Sequence, residues 1–213
     1  MAARAFGESD ALLVIDLQYD FLPGGALPVP GGDDIVAPIA ALARRFGTVV
    51  ATQDFHPTGH ISFASAHPGT HVYETLTLDA SGRQQFLWPD HCLAGTTGAA
   101  LTPKLPDEVV SLILRKGTRR DVDSYSALRE DRDRTGIRRT TGLGQWLRAR
   151  GVTTVYVVGL ARDYCVRATA VDAAVQRFNV VVVDDLTRAV WPERHGKTDL
   201  ALEEAGARRV ASL

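Results

Sequence analysis

Residues 153–166 read TTVYVVGLARDYCV. An unbroken run rich in β-branched residues meets a glycine, passes through a short polar turn and arrives at a cysteine. A run that does not alternate fits a strand covered on both faces of a parallel sheet, and the cysteine then opens the following helix. Similar runs occupy residues 11–15, 48–52, 109–114 and 180–183. Between them lie helical patterns: an Ala-rich stretch over 35–46 preceded by Asp33 and Asp34, which can cap it; a face of Leu143, Trp146 and Leu147 ended by Gly151; and a face of Val171, Ala174, Val175 and Phe178. Strands alternating with helices predict an α/β doubly wound, mostly parallel sheet with its site at the carboxyl ends of the strands.

A chain of 213 residues, 45% hydrophobic and 23% charged, can bury a full core and suits a single domain spanning 1–213. Its net charge of -1 supplies no field to gather nucleic acid or an anionic membrane. The start MAARAFGESDALLVID lacks a signal-peptide core, and no apolar run is long enough to span a bilayer, so a cytoplasmic protein is expected. The two cysteines, Cys92 and Cys165, form no CxxC pair, which suggests free thiols in a reducing compartment.

Two long connections, over residues 55–106 and 117–136, interrupt the rhythm and are expected to cover the site. The second mixes Arg119, Arg120, Arg129, Arg132 and Arg134 with Asp121, Asp123, Glu130, Asp131 and Asp133, and reads as a solvated mixed-sign surface.

Three strand ends carry chemistry. LLVIDLQYDF (12–21) places Asp16 where a buried run meets its loop, LILRKGT (112–118) places Lys116 in the equivalent position, and the quoted stretch places Cys165. A carboxylate at such a place needs a partner or a task. A helix N-terminus and a nearby ammonium can lower a thiol's pKa to about 3.5–7.5, so Cys165 is expected as a thiolate nucleophile held by Lys116. Asp16 is suited to carry a proton to a leaving amine, and the turn 159–163 can aim backbone N–H groups at a developing oxyanion. Taken singly, each residue reads more blandly as a core thiol, a cap or a snorkelling lysine; their joint occurrence at three strand ends is what argues for a site.

After the second strand comes TQDFHPTGHISFA (52–64), in which Asp54 and His56 point to one side of an extended segment. With His91 of LWPDHC (87–92) they suit one divalent ion, zinc first, with iron or manganese as alternatives. His60 is a weaker fourth candidate because the turn after Pro57 leaves its direction open. Cys92 reads as a bystander, and His67, His71 and His195 as loop residues.

Taken in order, VIDLQYDF, TQDFHPTGHISFA, LWPDHC, LRKGT with VDSYSAL, and GLARDYCV resemble the isochorismatase-like cysteine hydrolases, in particular their nicotinamidase and pyrazinamidase branch. The resemblance implies a six-stranded isochorismatase-like fold and an Asp16–Lys116–Cys165 triad. It implies a cis peptide at Leu160–Ala161, with the N–H groups of Ala161 and Cys165 as oxyanion donors and Leu160 beside the substrate. It further implies that Phe21 and Trp88 sandwich the ring of nicotinamide, that Tyr125 closes the pocket, and that the metal held by Asp54, His56 and His91 takes the pyridine nitrogen. Pyrazinamide as a second substrate and a place in NAD salvage follow from that activity. The oligomeric state stays open, a homo-oligomer included. A different hydrolase of this fold, such as an isochorismatase or a carbamoyl or ureido amidase, would have no use for the metal anchor. A catalytically silent binding protein would lack a triad member, and all three are present.

Overall fold

The computed structural model describes residues 6–213, so the leader reading of the first five residues lies outside it. The strands are β1 (Asp10–Ile15), β2 (Thr48–Asp54), β3 (Thr75–Thr77), β4 (Gln84–Phe86), β5 (Leu112–Lys116), β6 (Thr154–Leu160), β7 (Asn179–Arg188) and β8 (Arg208–Val210). The helices are α1 (Val36–Ala43), α2 (Leu143–Ala149), α3 (Arg167–Val175) and α4 (His195–Glu204). Among the described residues six strands form one sheet in the order β5-β2-β1-β6-β7-β8, and every neighbouring pair is parallel. From β1 the chain builds outward through β2 to β5, then returns to build β6, β7 and β8 on the other side. The direction of winding reverses between β1 and β6, and the crevice outside their carboxyl ends is where an open parallel sheet accepts a ligand.

The unbroken apolar run of β1 has a direct cause. Leu12 and Val14 pack into the layer with Ile35, Val36, Ile39 and Leu42 of the α1 region, while Ala11, Leu13 and Ile15 pack against Leu143 and Leu147 of α2, Ala170 and Ala173 of α3 and Leu202 of α4. Successive side chains point to opposite faces, and both faces are covered. At β5 this fails: residues 107–109 form a 3-10 turn, the strand begins only at Leu112, and Ile113 is 48% exposed. An edge strand with one neighbour is not sealed on both sides.

Three further expectations need correction. Neither Asp33 nor Asp34 caps α1, which starts after Ile35 without a side-chain hydrogen bond. On α3 the buried residues are Thr169, Ala170, Asp172 and Ala173, while Val175 is 67% exposed. The helix follows a π-helical turn over Arg162–Val166, and the small side chains on its buried face let α3 lie close to the sheet. His195 opens α4 instead of lying in a loop; α4 buries only Thr198 and Leu202, too thin an apolar stripe to read from sequence.

The long connections do fold over the site. The first contains the antiparallel β3–β4 hairpin and single bridges between His56 and Leu93 and between Phe63 and Trp88. In the second, Arg119 pairs with Asp121 and Glu130 at the surface, but Asp123 and Asp133 are buried, so the run is not uniformly solvated. Among the described residues no helix is long and apolar enough to cross a membrane.

Candidate active site

Gly159, at φ 109°, lets β6 run against β1: a Cβ there would lie 2.1 Å from the Ile15 carbonyl oxygen. That close approach brings the ends of β1 and β6 to the same rim. Asp16, just past β1, is fully buried with a left-handed backbone (φ 48°). Thr52 of β2 fixes it, accepting the Asp16 N–H at 3.0 Å and donating to Oδ1 at 2.6 Å. A non-glycine residue in this conformation is held there by its surroundings, as functional residues often are.

Lys116, at the end of β5, reaches across under β2. Its Nζ lies 2.9 Å from Asp16 Oδ2 and 2.5 Å from Asp54 Oδ1, and donates at 3.3 Å to the Ser124 carbonyl and at 3.3 Å to Cys165 Sγ. Asp16 Oδ2 is close to the ammonium but receives no well-directed hydrogen bond, and Asp16, Asp54 and Cys165 each place a donor atom within 4.8 Å of the others. Cys165 sits in the π-helical turn ahead of α3, and the Leu160–Ala161 peptide is cis.

Burial dominates the charges here. It pushes the Asp16 carboxyl up, against the pull of Lys116. It would drive the lysine toward the neutral amine, but the Asp16 and Asp54 carboxylates outweigh it and hold the ammonium well above the usual lysine range. It also pushes the Cys165 thiol well up, with Lys116 opposing and the two carboxylates reinforcing the rise. The expectation of a resting thiolate is thereby corrected: the thiol keeps its proton until a base takes it. The neighbouring ammonium does not win because burial, the largest effect, outweighs it and the two carboxylates add to the rise.

On the other side of the cavity, Asp54, His56 and His91 bring one donor atom each within 4.8 Å of one another. The Gly117 carbonyl accepts from His56 Nδ1 at 2.9 Å and the Pro89 carbonyl from His91 Nδ1 at 2.8 Å, which leaves both Nε2 lone pairs free. Burial, with His91 and His60 nearby, lowers the His56 pKa well below its ordinary value, keeping the ring neutral. The carbonyl of Cys92 accepts the His56 N–H at 2.9 Å, so this cysteine acts through its backbone. His60 stacks 4.2 Å from the His56 ring, but its Nδ1 bonds Ser62 and its Nε2 the Val122 carbonyl, so both nitrogens are committed elsewhere.

One cavity joins the two halves. Phe21, Trp88, Tyr125, Ala161 and Cys165 line it together with Asp54, His56 and His91. Phe21 and Trp88 lie 5.5 Å and 6.5 Å from the His91 ring, and Trp88 Nε1 donates to the Tyr125 hydroxyl at 2.9 Å. Leu160 is not among the lining residues; its side chain packs into the core beside Gly32. Sequence reading missed Tyr164, Asp123 and Val190 in the wall, and also Gln18, whose amide brackets the Asp54 backbone at 2.7 and 2.8 Å. A buried glutamine two residues beyond Asp16 was the available signal, since a polar side chain inside a core needs partners.

Residues 10–208 match the isochorismatase domain. The chain is 43% identical over 205 residues to the nicotinamidase of Acinetobacter baylyi, covering 95% of this chain and 92% of the relative. It superposes on a nicotinamidase/pyrazinamidase of Acinetobacter baumanii with a TM-score of 0.89 at 41% identity, covering 96% of each chain. It superposes also on a pyrazinamidase of Pyrococcus horikoshii in complex with zinc, with a TM-score of 0.74 at 35% identity, covering 95% of this chain and 98% of that one. With the strand order, the buried acid, lysine and thiol, and these likenesses agreeing, the chain belongs to the isochorismatase family of hydrolases, in its nicotinamidase/pyrazinamidase branch.

Proposed function

We propose that the protein hydrolyses nicotinamide to nicotinate and ammonia through a thioester on Cys165, with Asp54, His56 and His91 holding one divalent metal ion. The observation that carries this reading is the single cavity with Cys165 on one wall, the three donors on the other and aromatic rings between. One carboxylate and two imidazoles whose second nitrogens are tied to carbonyls fit a divalent ion, zinc first and iron or manganese as alternatives. His60 stays outside that set. When bound, such an ion supplies an open position that anchors a ring nitrogen.

Phe21 and Trp88 hold the pyridine ring between them, and Tyr125 and Tyr164 shut it from water. Asp16 Oδ2 takes the thiol proton as Sγ attacks the carboxamide carbon. The N–H groups of Ala161 and Cys165 receive the developing oxyanion. Asp16 then returns its proton to the departing amine, releasing ammonia, and water cleaves the thioester. Lys116 keeps its charge throughout and holds both partners in place. Pyrazinamide, a close isostere, should be a second substrate; a role in NAD salvage follows from the product, and a free reactive thiol suits the cytoplasm.

Chelation should lower kcat/KM for nicotinamide by about 10²-fold or more, because an unanchored ring loses its attack geometry, and Zn²⁺, Mn²⁺ or Fe²⁺ should restore it. Ammonia release measures this. Metal-loaded protein that releases no ammonia from nicotinamide overturns the proposal.

Gly117 provides a second check. At φ 64°, a Cβ there would lie 2.3 Å from His56 Cε1, and the same residue's carbonyl orients that ring. Gly117→Ala is therefore expected to weaken Zn²⁺ binding by about 10- to 100-fold with the sheet intact, as read by equilibrium titration and circular dichroism. Unchanged affinity would remove His56 from the ligand set.

A further inference from the structure

Two consecutive side chains of the π-helical turn are both buried: Arg162 is 4% exposed and Asp163 is 7%. Arg162 reaches β7 and α4. Its guanidinium donates to Asp184 at 2.7 Å and Thr187 at 2.9 Å on β7, and to Asp199 of α4 at 2.9 Å. Asp163 spends both carboxylate oxygens on the segment after β7. It accepts the Val190 N–H at 3.0 Å and the Trp191 N–H at 2.9 Å. Both donor residues reach the cavity, since Val190 lines it directly and Trp191 Nε1 donates at 3.2 Å to the hydroxyl of Tyr164, a lining residue. The flanking residues Ala161 and Cys165 carry the N–H groups assigned above to the oxyanion. A carboxylate that receives two backbone N–H groups in a buried place holds its chain rigidly.

We propose that Asp163 is a positioning residue for the oxyanion turn: by clamping the segment just after β7, at Val190 and Trp191, against residues 161–165 it sets where the Ala161 and Cys165 N–H groups point. Arg162 ties the same turn to β7 and α4. This rests on the proposed thioester mechanism. Preorganised donors act on the charge that develops in the transition state, so their misplacement costs rate and leaves ground-state binding alone.

The test uses the full metal-loaded protein with Asp163→Ala and Asp163→Asn, and three readouts: steady-state hydrolysis of nicotinamide, inhibition by pyridine-3-carbaldehyde, and the rate of Cys165 alkylation by iodoacetamide. The aldehyde forms a bond between Sγ and its carbonyl carbon; the C=O electron pair moves to oxygen, which takes up the thiol proton through Asp16, and the product is a hemithioacetal with its oxygen in the oxyanion position. Asp163→Ala should lower kcat by about 10²-fold and weaken aldehyde inhibition by the same factor, while KM and alkylation change by no more than about threefold. Asp163→Asn should fall between, because its one carbonyl oxygen serves one of the two N–H groups; it also carries the comparison if the alanine variant does not fold. A fall in kcat with unchanged aldehyde affinity, or an equal loss in alkylation, overturns the proposal, as does an unchanged kcat. Wild-type protein that binds aldehyde and alkylates but does not hydrolyse nicotinamide would sink the substrate assignment, while the Asp163 comparison of aldehyde affinity against alkylation still decides the positioning role.

Discussion

Cys165→Ala is expected to lower kcat for nicotinamide by at least about 10⁴-fold while the fold survives. The thiol is the group at the meeting point of the buried lysine, the buried acid and the cavity, 3.3 Å from Lys116 Nζ. Cys92 cannot replace it: that side chain is fully buried in the hydrophobic layer and lies outside the cavity lining, and burial holds its thiol protonated. Losing one sulfur from a small buried side chain leaves little space, so circular dichroism and zinc affinity should match the wild type. Quenched-flow mass spectrometry should find an acyl adduct on the wild-type protein and none on the variant. Residual turnover above about 1% would mean that water attacks directly and that the thioester route is wrong.

Lys116→Met should produce the second large effect, in stability as well as rate. The lysine is fully buried with Asp16 and Asp54 at 2.9 and 2.5 Å, and those two carboxylates are themselves out of water. In metal-free protein, removing the one cation between them leaves both buried carboxyl groups without their partner, which costs about 3–5 kcal/mol. Urea unfolding followed by circular dichroism should show a midpoint well below that of the wild type, and hydrolysis should be undetectable. Adding Asp16→Asn to Lys116→Met should recover part of the stability, because one stranded charge is gone, and none of the activity. A Lys116→Met variant as stable as the wild type would show that the ammonium is not what holds the two carboxylates together.

Much of the site was legible before any coordinates. Asp16, Lys116 and Cys165 stand where apolar runs end, and the Asp54–His56 spacing puts both side chains on one side of extended chain. What escaped notice depends on neighbours distant in sequence. Thr52 holds Asp16 because β2 lies beside β1, and Asp123 enters the cavity wall because the loop after β5 folds inward. The α3 face was misread because its buried side chains, Thr169, Ala170, Asp172 and Ala173, are small or polar and leave no hydrophobic pattern. His60 looked like a ligand by residue type; its two nitrogens turn out to be bonded to Ser62 and Val122.

By itself, then, the sequence determined which segments must be buried strands and which reactive groups sit at their ends, since sealing an apolar run from water is decided by the run's own composition. Only the tertiary structure decided that those ends share one rim, that the resting thiol is protonated, and that three donors rather than four converge. Each of these depends on the strand order and on desolvation. The field at Cys165 is set by Lys116 and Asp16, which reach it across the sheet, 49 residues away in the case of Lys116, and by the exclusion of water from the space they share.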